Sequence, residues 1–263
     1  MKPLGRVLII AGSDSGGGAG IQADIKTVTM LGGYAATAVT AITVQNTLGV
    51  TGVVGIDPAV VEAQGMAVLD DIGSDAIKTG MLADSAIVAA AARLIDHAGV
   101  PAVIDPVMVA KGGASLLADE AVNALINLLI PRAALLAPNA PEAAVLTGMP
   151  VETLDDLRAA GRALLAMGAN AVLMKGGHLE GASVTDLLMT GDAEWVFAAP
   201  RIDSRHTHGT GCTLASACAT GIAQGLPLEQ VVDRAIAYVR EAIVRAPGLG
   251  RGHGPLNHGW PVR

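Results

Sequence analysis

The stretch VLIIAGSDSGGGAGIQADIKTV, residues 7–28, sets the terms for the whole chain. Val7 to Ala11 is a short apolar run without polar alternation, which reads as a strand buried on both faces. Glycines end it, and Gly12-Ser13-Asp14-Ser15-Gly16-Gly17-Gly18-Ala19-Gly20 forms a loop. From about Ala19 the period becomes helical. Ile21, Ile25 and Val28 fall on one face and Gln22, Lys26 and Thr29 on another. Strand, glycine loop and helix in this order open an α/β unit.

The same alternation continues outward. Strands are expected at Ala35–Val44, Val50–Ile56, Ala76–Lys78, Ala102–Ile104, Leu135–Ala137 and Ala171–Met174, with a hairpin at Val184–Met189 and Glu194–Ala198. Asp57-Pro58 opens a helix that runs to about Asp71. Ile87, Val88, Ala91, Leu94 and Ile95 mark another, ended by Gly99. Asp119–Ile130 is helical up to Pro131, and Thr153 with Asp156 makes a capping box. Two more helices run from Gly211 to Gln224 and from Leu228 to Arg245. This implies a doubly wound, mostly parallel sheet with helices on both faces, a three-layer α/β/α domain spanning residues 1–263. A TIM barrel needs eight regular βα units, and the strand pair at 35–56 and the hairpin at 184–198 do not supply them.

Composition narrows the function. The chain has 263 residues, 51% hydrophobic and 16% charged, which excludes disorder. A net charge of −7 leaves no electrostatic footprint for nucleic acid or an anionic membrane. The run from Thr27 to Ile56 is uncharged, but Gly32-Gly33 and Gln45-Asn46-Thr47 break it into strands, not a membrane span. Val7–Ala11 is too short for a signal peptide. Cys212 and Cys218 lie six apart in a helix, too far for a bridge, so free thiols and a cytoplasmic location are expected.

Ligands on such sheets bind at the carboxyl ends of the strands, so the loops there carry the argument. Gly18-Ala19-Gly20-Ile21-Gln22-Ala23 matches a dinucleotide fingerprint, yet no acid lies between Asp24 and Asp57 to hold a ribose. The chain has no Gly-Lys pair, which excludes a Walker A loop. Asp105-Pro106-Val107-Met108 is either an Asp-Pro turn or a carboxylate placed for Mg²⁺, and Lys111-Gly112-Gly113 beyond it could reach a phosphate. Asn139 and Glu142 are either an N-cap with its first turn or a pair facing the cleft. Lys175 ends an apolar strand before Gly176-Gly177-His178, odd for a core and useful for a polyphosphate. His206-Thr207-His208-Gly209-Thr210-Gly211-Cys212-Thr213 opens a helix with free N–H groups, an anion hole. There the helix dipole is expected to lower the Cys212 thiol pKa. His206 and His208 have no third ligand nearby and make no zinc site.

Taken in order, these motifs are specific. The first loop, Gln45-Asn46-Thr47, Lys78-Thr79-Gly80-Met81, Asp105-Pro106-Val107-Met108, Pro138-Asn139-Ala140-Pro141-Glu142, Met174-Lys175-Gly176-Gly177-His178, the Cys212 loop and His253-Gly254-Pro255-Leu256-Asn257-His258 run along essentially the whole chain. Together they resemble the bacterial hydroxymethylpyrimidine/phosphomethylpyrimidine kinases of thiamine biosynthesis, in the ribokinase superfamily. The resemblance implies ATP and Mg²⁺ as cofactors, an aminopyrimidine alcohol as substrate, phosphorylated twice, and a homodimer. It places the ring near Gly12, Asp14, the Ala19 backbone, Gln45, Met81 and Val107. ATP-Mg would lie across Asp105, Asn139, Glu142, Lys175, Thr207, Gly209, Thr210 and Gly211, with Asp105 and Glu142 reaching the metal through water. Backbone N–H groups of Gly209, Gly211 and Cys212 would hold the transferred phosphoryl group, with Lys175 beside them, and Cys212 would act as base where most ribokinase relatives carry Asp. None of the five aromatic residues lies in these loops, so the ring should be gripped without stacking. Pyridoxal kinase is the closest rival. A dinucleotide oxidoreductase and a non-catalytic vitamin-precursor binder are the others.

Overall fold

Strand order places the carboxyl ends of the central strands side by side. The computed structural model describes residues 4–108 and 119–262. Among the described residues nine strands form one sheet: β1 (Arg6–Asp14), β2 (Tyr34–Asn46), β3 (Gly49–Gly55), β4 (Ala76–Thr79), β5 (Ala102–Ile104), β6 (Ala133–Leu136), β7 (Ala171–Met174), β8 (Ser183–Thr190) and β9 (Glu194–Pro200). Their order is β3-β2-β1-β4-β5-β6-β7-β8-β9. From β2 through β7 neighbours run parallel; β3, β8 and β9 are antiparallel additions at the two edges. The doubly wound α/β expectation holds. Lys111-Gly112-Gly113 lies outside the described residues.

The helices are α1 (Gly20–Met30), α2 (Pro58–Asp71), α3 (Ser85–Ala98), α4 (Asp119–Ala124), α5 (Ala140–Thr147), α6 (Leu154–Ala166), α7 (Thr210–Ala223) and α8 (Leu228–Val244). Two apolar cores result. Leu8, Ile10, Ile77, Ile104, Leu136 and Val172 face α2–α6. Val7, Ile9, Val103, Leu135 and Leu173 face α1, α7 and α8. Side chains alternate along a strand, so this register settles polar residues as well. Lys78 follows Ile77, Asp105 lies two past Val103, and Lys175 two past Leu173. The alternation thus aims all three toward the α7 side.

Three local expectations change. β1 runs on through Gly12 to Asp14, with a register shift between Ala11 and Ser13. The helix expected at Asp119–Ile130 is α4 followed by a π turn at Leu125–Leu129 and a 3-10 turn at Ile130–Arg132. Ile25 is exposed, and α1 instead buries Ala23, Asp24, Thr27 and Val28. Asp24 takes the core position because Lys78 lies beneath it. Among the described residues no helix is long and apolar enough to cross a membrane.

Candidate active site

One cavity of about 400 Å³ lies across the carboxyl ends of β1, β4, β5, β6 and β7. Its floor at one end is ionic. Asp105, just past β5, is buried, and its Oδ1 accepts from Lys175 Nζ at 2.9 Å. Its Oδ2 is buried without a partner. Glu142 Oε2 stands 3.8 Å from the same ammonium. Burial alone would lower the Lys175 pKa, but Asp105 and Glu142 outweigh it and hold the ammonium charged. Burial pushes Glu142 up to about 7, Lys175 draws it back, and Asp105 adds to the rise. Asn139 caps α5. Its Oδ1 accepts from the Glu142 N–H at 2.9 Å, and the Asn139 N–H donates to Glu142 Oε2 at 2.8 Å. The capping alternative for this pair is therefore correct, although both side chains still line the cavity.

α7 points its amino end at this cluster. Gly209 takes φ +87°, and a Cβ there would land on the Gly18 carbonyl. Only glycine lets the anion loop lie against the first loop. Thr207, Gly209, Thr210, Gly211 and Cys212 all line the cavity. A Cβ on Gly211 would stand 3.5 Å from Lys175 Nζ and 4.0 Å from Asp105 Oδ2. The helix start and the ion pair therefore face one small volume, and the first N–H groups of a helix have no partner within it.

Cys212 keeps part of its surface open. The expected lowering of its pKa is reversed. Burial raises the thiol to about 12, Lys78 opposes the rise, and Asp24 and Asp105 add to it. A helix dipole is worth too little to offset two carboxylates and the loss of water. Behind the thiol, Lys78 Nζ meets both Asp24 oxygens at 2.9 Å, and Ser216 Oγ donates to Asp24 at 2.7 Å. Lys78 and Asp24 are fully buried.

The opposite end of the cavity is shaped by β1 and β2. Gly12, Ala19, Gln45, Met81 and Val107 line it, as expected, and Thr43 and Met108 join them. Asp14 lines it too, but its carboxylate is already saturated. It accepts from the N–H groups of Gly16, Gly18 and Ala19 at 2.8, 3.0 and 2.8 Å and faces His208 Nε2 at 2.9 Å. Burial would raise its pKa, but His208 and these N–H groups prevail and lower it. Asp14 thus builds the loop. No aromatic side chain is among the described lining residues.

Sequence reasoning missed His208, Lys78 and His178 as lining residues. His208 stands inside the His-Thr-His-Gly-Thr-Gly-Cys run, where the loop as a whole is expected to meet ATP but no contact of its own is assigned to this side chain. The C-terminal segment ties the β2–β3 turn to the loop before α7. The His253 N–H donates to the Thr47 carbonyl at 2.9 Å and the His208 N–H to the Gly254 carbonyl at 3.2 Å.

Comparison with known proteins agrees with this geometry. A family model described as phosphomethylpyrimidine kinase matches residues 14–257. The hydroxymethylpyrimidine/phosphomethylpyrimidine kinase of Bacillus subtilis is 50% identical over 255 residues, covering 96% of this chain and 94% of that protein. The thiamine biosynthesis bifunctional protein ThiED of Geobacter sulfurreducens is 53% identical over 257 residues, 97% of this chain; the chain spans 52% of that longer protein. The pyridoxal kinase from Staphylococcus aureus, solved with AMP-PCP and pyridoxal, superposes with TM-score 0.92 at 33% identity, covering 99% of this chain and 96% of that one. Half identity along nearly the full length and the matching family model, beside a helix start that faces a lysine–carboxylate pair, lead to one conclusion: the chain belongs to the phosphomethylpyrimidine kinase family and is a kinase.

Proposed function

We propose that this chain transfers the γ-phosphoryl group of ATP to the hydroxymethyl oxygen of 4-amino-5-hydroxymethyl-2-methylpyrimidine, and then a second phosphoryl group to the monophosphate, within thiamine biosynthesis. One observation carries the reading. Lys175, Asp105 and the start of α7 meet at one end of a cavity whose other end is Gln45 and an apolar wall.

The transition state of phosphoryl transfer is loose, so the protein mainly positions groups and neutralises charge. The oxygen–phosphorus bond forms as the bond to the β-phosphate oxygen breaks and ADP leaves. Backbone N–H groups of Gly209, Gly211 and Cys212 meet the equatorial oxygens. Lys175 supplies a permanent cation. The alcohol proton passes to Cys212 in its thiolate form and on to solvent. Burial raises this thiol to about 12 and keeps the thiolate scarce at neutral pH, so its share falls at or below the low end of the roughly 10²–10⁴-fold typical of general bases. A buried Asp105 oxygen without a donor fits a hydrated cation, and Glu142 stands beside it. Among the described residues no three His, Cys, Asp or Glu side chains gather as a ligand set. Two carboxylates acting through water, with phosphate oxygens, suit Mg²⁺ better than a transition metal. When bound, Mg²⁺ offsets the charge of the phosphates.

Residues 1–263 would act as one domain, since one sheet carries every loop of the site. The free thiols suit a reducing cytoplasm. Ile42, Val44, Leu48, Val53 and Val54 expose apolar surface on the β2–β3 hairpin, which supports a homodimer through that edge. Sedimentation at assay concentration checks it, and a monomer rejects it. The likeness to a pyridoxal kinase favours pyridoxal as a secondary substrate. The deciding experiment is ATP/Mg²⁺ turnover with the aminopyrimidine alcohol, its monophosphate and pyridoxal in parallel. The highest kcat/KM should belong to the aminopyrimidine alcohol. Preference for pyridoxal, or no turnover of either pyrimidine, overturns the reading.

A further inference from the structure

We propose that His208 is a positioning residue that locks the side-chain amide of Gln45 in one orientation, and that this lock decides which rings the cavity accepts. The inference rests on the aminopyrimidine reading for its consequence, but not for the lock itself. His208 is buried, and its Nε2 lies 2.9 Å from Asp14 Oδ2 and 3.3 Å from the Gln45 amide atom placed as Nε2, an end that a flip of the amide exchanges with Oε1. The other end, placed as Oε1, lies 3.0 Å from Thr43 Oγ1. Thr43 Oγ1 in turn lies 2.9 Å from the Ser13 carbonyl oxygen.

Donor and acceptor counting resolves this chain of contacts. Asp14 carries three backbone N–H donors and so is a carboxylate, able only to accept. The hydrogen between it and His208 therefore sits on Nε2. That N–H also faces Gln45, so the near end of the amide must be its oxygen. An NH₂ group there would set two donors against each other. The amide nitrogen then faces Thr43. The single Thr43 hydrogen goes to the Ser13 carbonyl, which only accepts, and the hydroxyl lone pair takes an N–H from Gln45. The one His208 Nε2–H is then shared between Asp14 Oδ2 and the Gln45 oxygen, and the other contacts are satisfied. The orientation as placed is worse by one clash: Thr43 shares its one hydrogen between two acceptor oxygens, and the His208 Nε2–H also faces an NH₂.

In the locked orientation Gln45 retains one N–H and one oxygen lone pair for a ligand. A ring that presents an acceptor nitrogen beside an amino donor, as an aminopyrimidine does, pairs with both. A pyridine without an amino group pairs with one at most. Without the Nε2–H the amide is free to turn, and discrimination drops.

Three measurements test this. ¹⁵N NMR of the full chain at neutral pH should show His208 with hydrogen on Nε2; a neutral ring with hydrogen only on Nδ1 overturns the proposal. His208→Phe should lower kcat/KM for the aminopyrimidine alcohol roughly 10–100-fold, mainly through KM. Its kcat/KM for pyridoxal should fall much less. His208→Gln, which can again place an N–H donor near Asp14, should recover part of the discrimination. Equal losses for both alcohols in His208→Phe, or no recovery in His208→Gln, also overturn it. If the wild-type chain prefers pyridoxal, the substrate reading fails, while the NMR result still decides the lock.

Discussion

Two buried lysines serve opposite ends, and their carboxylate partners explain why. Lys78 in β4 is fully enclosed, and Asp24 is filled by its ammonium and by Ser216. Lys175, just past β7, holds one oxygen of Asp105 and leaves the other without a donor, with Glu142 alongside. Both lysines come from strand ends on the same face of the sheet, and both are held charged by carboxylates against burial. The difference is saturation. A filled pair supports the fold, and a pair with an orphaned lone pair awaits a ligand.

The strongest way to break this contrast is to remove each cation. Lys78→Met should cost about 3–5 kcal/mol of stability by leaving Asp24 buried and charged. Chemical denaturation reads this, and the double variant Lys78→Met/Asp24→Leu should regain most of the loss. If Lys78→Met is as stable as the parent, the closed pair is not structural. Lys175→Met should instead lower kcat by roughly 10²–10³-fold, as for loss of one group that stabilises transition-state charge. Its denaturation midpoint should move less than that of Lys78→Met. A larger stability loss in Lys175→Met would reverse the assignment.

Acid offers a subtler test of the closed side. His258 Nε2 lies 2.9 Å from Thr213 Oγ1, which itself donates to the Gly209 carbonyl. Burial, helped by Lys26, lowers His258 to about 4. An unfolded histidine titrates near 6.5, so below that pH the unfolded chain takes up a proton first. Stability should fall from about pH 6.5 down to about 4, by roughly 3 kcal/mol in total. His258→Gln should flatten this slope, and an unchanged slope would assign the effect elsewhere. The smallest effect is expected at Cys212, which touches both regions. Cys212→Ala should lower kcat about 10–100-fold. Full activity with an unchanged pH profile would remove its proton-accepting role.

Much of this was legible in residues. The apolar run at Val7–Ala11 and its repeats announced buried parallel strands, because short apolar runs between glycine loops have few other uses. Asp105, Lys175 and the Gly209–Cys212 loop were identifiable because polar residues rarely end core strands without purpose. Asn139 and Asp14 are less legible. Each has a local backbone to serve, as a cap or as a loop organiser, and sequence shows a side chain but not what already occupies it. Ile25 was assigned to the buried face because helical period ignores a lysine arriving from β4.

The sequence alone determined the fold class, the strand ends that carry the site and the family. These rest on local periods and on contiguous motifs. Only the tertiary structure decided which polar groups are spent and which are open. The Asp105–Lys175 contact spans 70 residues and the Asp14–His208 contact 194, so neither can be read from spacing. The state of the Cys212 thiol was decided there too. Distant segments shut out much of the water and gather carboxylates around it, and together these outweigh the helix dipole that the local sequence supplies.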